Sequence, residues 1–110
     1  MARAKSSNKI LFCLSSCPTT AVAHKLARTL VKEKLAACVQ CLPHASSYYW
    51  WQGKLVQDQE CLLLIKTTIS LRTKVEARLL KLHPYQLPEF VTLAVSAQAR
   101  YLKWVKENTR

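Results

Sequence analysis

Cysteine and histidine are the side chains here best suited to metal chemistry, and the 110-residue chain has five cysteines and three histidines. The densest group, Cys38-x2-Cys41-x2-His44, has the spacing of metal ligands. The surrounding sequence favours a strand, however, and in a strand side chains three positions apart point to opposite faces. A closed zinc site would also need a fourth ligand. We therefore interpret these cysteines as ordinary buried thiols.

Cys17 and His83 lie at the ends of two predicted elements. Cys17 is expected just past the first strand and immediately before Pro18, where it would line a cleft. His83 precedes Pro84, which ends a predicted helix because the residue before a proline is driven out of the helical conformation. A Cys–His nucleophilic pair is chemically feasible, but nothing in the sequence marks an orienting group or an oxyanion hole. We therefore predict that the protein is not an enzyme.

The elements that must position these residues follow the predicted order βαββαβα. Apolar residues recur every three to four positions in the helical segments. The predicted elements are a buried strand over 9–16, a helix capped by Thr19 or Thr20, a hairpin over 37–67 turning at Gln52-Gly53-Lys54, a second helix capped by Ser70 and ended by Pro84, a strand over 89–96 and a short helix over 99–110.

Two crossovers and one hairpin in this order predict an α+β, ferredoxin-like fold. Its four-stranded antiparallel sheet would carry helices on one face, with one extra helix at the C-terminus. The length predicts one domain over residues 9–110, after a short disordered N-terminus at residues 1–8. A domain of this size buries only about 60–70% of its unfolded surface. Oligomerisation would therefore stabilise it.

Four consecutive aromatic residues, Tyr48 to Trp51, precede the hairpin turn. Strand alternation places Tyr49 and Trp51 on one face and Tyr48 and Trp50 on the other, so both faces of the arm are apolar. An exposed arm of this kind would be a large apolar patch and an aggregation-prone edge. We therefore predict that the arm is buried between the subunits of an oligomer.

The formal net charge of +11 comes from 17 basic and six acidic residues, and it attracts polyanions. A nucleic-acid-binding module of the same fold is therefore an alternative function. Such sheets present stacking aromatics on their central strands, whereas the first strand here offers only Phe12 and residues 59–66 contain none. We predict no specific nucleic-acid binding. The single glycine, Gly53, also excludes the usual glycine-rich phosphate loops.

The predicted cellular location follows from two kinds of segment that are not found in the sequence, a signal peptide and a transmembrane helix. The first ten residues carry charge but no apolar stretch typical of a signal peptide. No apolar run approaches the roughly 18 residues of a transmembrane helix. We expect no membrane insertion and a cytoplasmic location, where free thiols persist.

Motifs spread over residues 9–110 resemble the CutA family of divalent-cation tolerance proteins. The resemblance implies a homotrimer similar to the PII signalling proteins, with each hairpin arm pairing with neighbouring subunits. It implies a metal-tolerance function with copper as the bound metal, and it leaves a PII-like signalling or scaffold trimer as an alternative. The matching segments are KLAACV at 34–39, YWWQGK at 49–54, Glu60, IKTT at 65–68, HPYQLPE at 83–89 and YLKWVKENTR at 101–110.

The family resemblance also implies a copper site made of a cysteine at the end of the first strand and two histidines before Pro-Tyr. Ser15 and Leu82 occupy two of these three positions here. His83 matches directly, and Cys17 matches the Cys-Pro arrangement of other relatives. The resemblance therefore assigns the metal to His83 and Cys17.

The resemblance also implies an inter-subunit cleft, since a helix end needs Pro84 but does not need the polar and aromatic residues around it. An alternative interpretation is that these residues only brace the trimer, through a pair between Lys66 and a carboxylate and a hydrogen bond from Tyr85. The predicted cleft residues are Tyr49, Trp51, Glu60, Lys66, Tyr85 and Glu89.

Overall fold

Four strands and three helices make up the protein in a computed structural model that describes residues 8–110. Most of the N-terminal segment expected to be disordered, residues 1–7, therefore lies outside the described residues. A single 3₁₀ turn, Ile69–Leu71, leads into the second helix. The elements in chain order are β1 Lys9–Cys17, α1 Thr20–Lys32, β2 Cys38–Trp51, β3 Lys54–Thr67, α2 Arg72–Leu82, β4 Val91–Ser96 and α3 Ala99–Glu107.

The four strands form one antiparallel sheet in the order β2-β3-β1-β4. The two central strands are β1 and β3, paired from Leu11 opposite Thr67 to Cys17 opposite Cys61. This topology confirms the ferredoxin-like prediction, with α3 as the additional C-terminal helix. The long β2–β3 hairpin extends beyond the central β1–β3 pair.

One face of the sheet packs against α1 and α2 and forms the main core. Alternate residues of the central strands, such as Cys13, Leu63 and Ile65, point to this face and are fully buried. The helices contribute Leu26 and Leu79 to the same cluster. A smaller cluster joins α3 to the N-terminal end of β1. The main core therefore lies on one side of the sheet, and α3 covers Ile10 at one end of the other side.

The opposite face of the sheet is apolar and bare in the protomer. Phe12 and Leu14 of β1 are half-buried there, and their antiparallel partners on β4, Leu93 and Val91, are exposed. Half-buried Leu62 and Leu64 extend this face across β3, and exposed Leu42 extends it onto β2. We call these seven side chains the open sheet face. Contiguous apolar surface of this extent is typical of an interaction site.

The start of α1 was predicted correctly, and the start of α2 was not. The Thr19 hydroxyl accepts a hydrogen bond from the Val22 backbone N–H, as an N-cap side chain does. Ser70 does not cap α2, because it lies within the 3₁₀ turn and α2 begins at Arg72 without a side-chain cap. The turn instead directs Leu71 into the core. Burial of one leucine thus outweighs a local capping hydrogen bond.

The hairpin arm is built by a tight turn and a bulge. Gln52 and Gly53 both have positive φ, 51° and 77°, as a type I′ turn requires. A register shift between Leu42 and Ala45 marks the bulge in β2. Because β1 pairs with β3 only as far as Cys61, residues 45–60 project beyond the rest of the sheet. We call residues 45–60 the arm, and it accounts for the elongated 50 × 28 × 23 Å shape.

Candidate functional site at the base of the arm

A cleft of about 790 Å³ lies where the loop 83–90 crosses the base of the arm. Strand alternation puts Tyr49 and Trp51 on the arm face that also carries Asp58 and Glu60. The loop supplies the facing wall. Within residues 8–110, no lysine or arginine lines this cleft. Its lining is Ser16, Ser47, Tyr48, Tyr49, Trp50, Trp51, Glu60, Pro84, Tyr85, Gln86, Leu87 and Glu89.

A hydrogen bond between Tyr85 and Glu60 joins the two walls of the cleft. The Tyr85 hydroxyl donates to Glu60 Oε2 at 2.7 Å, and Glu60 is only 8% exposed. Burial raises the pKa of Tyr85 far above its usual range, and the hydrogen bond to the carboxylate raises it further. Tyr85 is therefore a neutral donor at physiological pH.

A second phenol–carboxylate pair lies further along the arm. The Tyr49 hydroxyl donates to Asp58 Oδ2 across the two strands. This hydrogen bond, more than burial, raises the pKa of Tyr49 to about 12. Asp58 was not predicted, although it is two residues before Glu60 and alternation places both on one face. The two-residue spacing from Glu60 was the sequence signal that could have identified Asp58 as a residue of this face.

Serine hydroxyls at the end of β1 hold the far end of the loop. Ser15 Oγ donates to the backbone carbonyl oxygen of Glu89 at 2.7 Å. Ser16 Oγ donates to Glu89 Oε1 at 3.2 Å. Both serines are buried, so these bonds fix the loop against the sheet. Ser16 was another cleft residue that sequence reasoning missed, because no local pattern indicates which loop a strand end will meet.

Five of the six predicted cleft residues come together in one protomer, and Lys66 does not. Lys66 Nζ donates to Gln40 Oε1 at 2.9 Å on the open sheet face. It is six residues from Glu60 along β3, roughly 20 Å for an extended strand. Tyr85 makes the expected hydrogen bond. A pair between Lys66 and a cleft carboxylate could thus form only across a subunit boundary.

Cys17 and His83 are neighbours within one protomer, with Sγ and Nε2 3.9 Å apart. From the sequence, Cys17 was expected just past β1 and facing a cleft. It is instead the last residue of β1. It lies opposite Cys61 of β3 in the strand register, and its side chain is fully buried. His83 caps α2, and its ring turns inward because Pro84 forces the backbone into an extended conformation.

The hydrogen bonds of His83 define its tautomer. Nδ1 accepts from the Tyr85 backbone N–H at 3.1 Å, so Nε2 carries the proton. Nε2–H then donates to the Ser16 carbonyl oxygen at 2.7 Å. Neither ring nitrogen has a free lone pair in this arrangement. A metal ion therefore fits between Cys17 and His83 only after the ring leaves the Ser16 carbonyl and the thiol loses its proton.

The buried thiols of Cys17 and Cys13 are poor nucleophiles. Burial, together with the neighbouring Cys61 and Cys41, raises the pKa of Cys17 to about 12. Burial likewise raises the pKa of Cys13 to about 11. A nucleophilic Cys–His pair needs the thiolate, which is the reactive form. This environment therefore offers no support for cysteine catalysis.

We expect a chemical-modification experiment to separate the five cysteines into two classes. At pH 8, iodoacetamide should alkylate the half-buried Cys38 and Cys41 first, whereas buried Cys13, Cys17 and Cys61 should react only as the protein unfolds. Peptide mass spectrometry over time measures this order. All five should react at similar rates in denaturant. Native modification of Cys17 as fast as that of Cys38 would contradict the buried position.

Cys38, Cys41 and His44 lie on the continuous strand β2. His44 lies at the bulge and has a positive φ of 66°. Among residues 8–110, no group of three or more His, Cys, Asp or Glu side chains is arranged to hold a metal ion. In the same part of the chain, no helix is both long and apolar enough to cross a bilayer.

The sheet order, the two helices packed on the main core and the projecting arm define a ferredoxin-like α+β protein, with exposed apolar side chains on the open sheet face and the arm. The sequence model of the CutA1 divalent ion tolerance protein family matches residues 11–108. The chain therefore belongs to this family.

Relatives match over nearly the whole chain. The divalent-cation tolerance protein CutA of Thermus thermophilus is 47% identical over 97 residues, covering 87% of this chain and 94% of that one. The protein of the same name from Escherichia coli is 40% identical over 108 residues, covering 96% of both chains. The crystal structure of CutA1 from Oryza sativa is 35% identical, with a TM-score of 0.90 over 96% of this chain and 97% of that one.

Proposed function

We propose that this protein serves in divalent-cation tolerance as a cytoplasmic homotrimer that binds metal ions, copper among them, and catalyses no reaction. Family membership and the names of its relatives support the tolerance role. The five free cysteines support a reducing compartment such as the cytoplasm.

Two bare apolar surfaces support the trimer. On the open sheet face, the side chains of Leu42, Val91 and Leu93 are exposed. On the arm, those of Tyr48 and Trp50 are exposed. The two surfaces lie on one hairpin and its adjoining strands, so further copies of the chain could cover both at once. The same surfaces do not favour nucleic-acid binding, since the one aromatic residue of the described open sheet face is Phe12 and stacking platforms need several.

The observation that carries the copper proposal is the 3.9 Å separation of Cys17 Sγ and His83 Nε2. Thiolate and imidazole both bind copper well, and Cu²⁺ has the highest affinity among divalent first-row metals for such ligands. Binding must break the His83–Ser16 hydrogen bond and displace the thiol proton. These two costs predict modest affinity, at most one ion per subunit, and release of a proton on binding.

Calorimetric titration with copper tests this assignment. We expect His83→Ala and Cys17→Ser each to weaken binding at least about tenfold, equivalent to roughly 1.4 kcal/mol. The Cys17 variant should lose more affinity for Cu⁺ than for Cu²⁺, because the softer ion depends more on sulfur. His24→Ala and Cys38→Ser are matched controls, since His24 is exposed on α1 and Cys38 lies at the start of β2.

Copper binding by the His83→Ala variant at the parent affinity would refute the site, and so would equal losses in the two controls. His83→Gln repeats the test with a side chain that can still donate to Ser16. It guards against loss of binding through local unfolding.

A further inference from the structure

Two cysteines face each other across the central strands of the sheet. Cys17, the last residue of β1, lies directly opposite Cys61 of β3 in the antiparallel register. Both side chains belong to the main core cluster, so they point to the same face of the sheet. Both are free cysteines. The two neighbouring strands therefore hold a pair of reduced thiols side by side.

This pair has the backbone spacing of a disulfide. Directly opposite residues of antiparallel strands have Cα atoms about 4.5 or 5.5 Å apart, depending on whether the pair is hydrogen-bonded. Disulfides usually join Cα atoms that are about 4.4–6.8 Å apart. Either kind of pair falls within this range. An S–S bond between Cys17 and Cys61 therefore needs rotation of the side chains and no change in strand register.

The other core-facing cysteines are too distant to compete for this bond. Cys41 lies opposite Leu63, which makes it the diagonal neighbour of Cys61 across β2 and β3. Diagonal neighbours have Cα atoms about 7–8 Å apart, whereas a disulfide cannot span more than about 7 Å unless the backbone moves. Cys13 is four residues from Cys17 along β1, which is about 13 Å in a strand. The sheet therefore favours one disulfide, Cys17–Cys61.

The proposed copper site contains one member of this pair. Cys17 Sγ lies 3.9 Å from His83 Nε2, and copper bound there displaces the thiol proton. Thiolate ligands favour Cu⁺ over Cu²⁺, because a soft ligand selects the softer ion. Cys61 supplies a second thiol across the strand pair. Its Sγ makes a weak hydrogen bond of 3.9 Å to the Leu62 carbonyl oxygen, which does not hold the thiol in place.

We propose that Cys17 and Cys61 reduce Cu²⁺ to Cu⁺ and end as a disulfide between β1 and β3. This proposal rests on copper binding at Cys17 and His83. Two cupric ions react in turn: each takes one electron, each S–H bond breaks with release of a proton to water, and one S–S bond forms. The reaction is stoichiometric and not catalytic, because no step in it restores the thiols. Since a disulfide is not a thiolate ligand, Cu⁺ then leaves the site.

Thiol counting after exposure to copper tests this reaction. The reduced protein is mixed with Cu²⁺ in the absence of oxygen, the metal is removed with a chelator, and the remaining thiols are counted in denaturant. We expect two of the five thiols to be lost, and peptide mass spectrometry should find Cys17 linked to Cys61. A chelator that is coloured only with Cu⁺ measures the reduced metal in a parallel sample.

Replacement of Cys61 separates reduction from binding. Cys61→Ser keeps Cys17 and His83, so its affinity for Cu⁺ should match that of the parent. Formation of Cu⁺ from Cu²⁺ should slow at least about tenfold, because one thiol alone cannot complete the disulfide. Cys41→Ser is the matched control, since it replaces the diagonal neighbour and leaves the opposite pair intact. Should Cys61→Ser fail to fold by circular dichroism, Cys61→Ala repeats the test with an apolar side chain.

Three results would overturn the proposal: five thiols remaining after Cu²⁺ treatment, a cross-link that joins other cysteines, or reduction by Cys61→Ser at the parent rate. If the parent still binds Cu⁺ in those cases, the copper site stands and only the reduction has failed. A parent that binds neither ion refutes the copper site and this proposal together. A Cys17–Cys61 cross-link that forms equally fast in His83→Ala would show that copper does not act from the proposed site.

Discussion

Trp50→Ala should shift the protein from trimers toward monomers. Trp50 is 71% exposed at the tip of the arm, although a tryptophan offers about 150–250 Å² for burial. If the arm lies between subunits, each trimer loses three such contacts. Interface tryptophans of this kind often contribute about 2 kcal/mol or more each. We therefore expect dissociation at protein concentrations where the parent remains fully assembled.

Light scattering coupled to size-exclusion chromatography measures this shift. The parent should have three times the subunit mass of 12.5 kDa at micromolar concentration. Trp104→Ala is the matched control, because Trp104 is 42% exposed on α3, away from the arm and the open sheet face. A monomeric parent would contradict the trimer itself. Equal dissociation in the Trp104 variant would contradict the part assigned to the arm.

The second large effect concerns the core beneath α2. Leu79→Ala should lower the free energy of unfolding by about 2–5 kcal/mol, because it leaves a cavity in a fully buried cluster. Leu80→Ala, one residue later, should change it by less than about 0.5 kcal/mol. Leu80 is 43% exposed on the outer side of the same helix, so both variants share helix propensity and position.

Urea denaturation of both variants at one protomer concentration checks this difference, since subunit association would otherwise change the apparent stability. Similar losses for Leu79→Ala and Leu80→Ala would mean that α2 packs with another face toward the sheet. A small loss for Leu79→Ala alone would mean that the surrounding core closes around the cavity.

Secondary structure was predictable where a residue acts on its own neighbours. Gly53 tolerates the positive φ of the hairpin turn, and Pro84 ends α2 at Leu82. Period-two and helical apolar patterns determined the order of strands and helices. The exception among the helix starts was Ser70, because the burial of Leu71 decided that turn.

Residue pairs distant in sequence were harder to predict. The family resemblance named six cleft residues, of which one protomer brings five together and keeps Lys66 with Gln40. Asp58 was missed. The spacing of Asp58 from Glu60 was a local signal, but the position of Lys66 relative to the cleft was not, since the loop 83–90 meets the arm only when the whole sheet has formed.

Composition, apolar periodicity and turn residues by themselves determined an α+β fold with a long aromatic arm, because each acts over a few neighbouring residues. Only the tertiary structure decided that His83 is 3.9 Å from Cys17 yet has both ring nitrogens hydrogen-bonded. Likewise it decided that Glu60 is buried at the base of the arm and accepts a hydrogen bond from Tyr85. Burial and hydrogen bonding depend on which distant segments the fold brings together, and these contacts determine what a histidine or a carboxylate can bind.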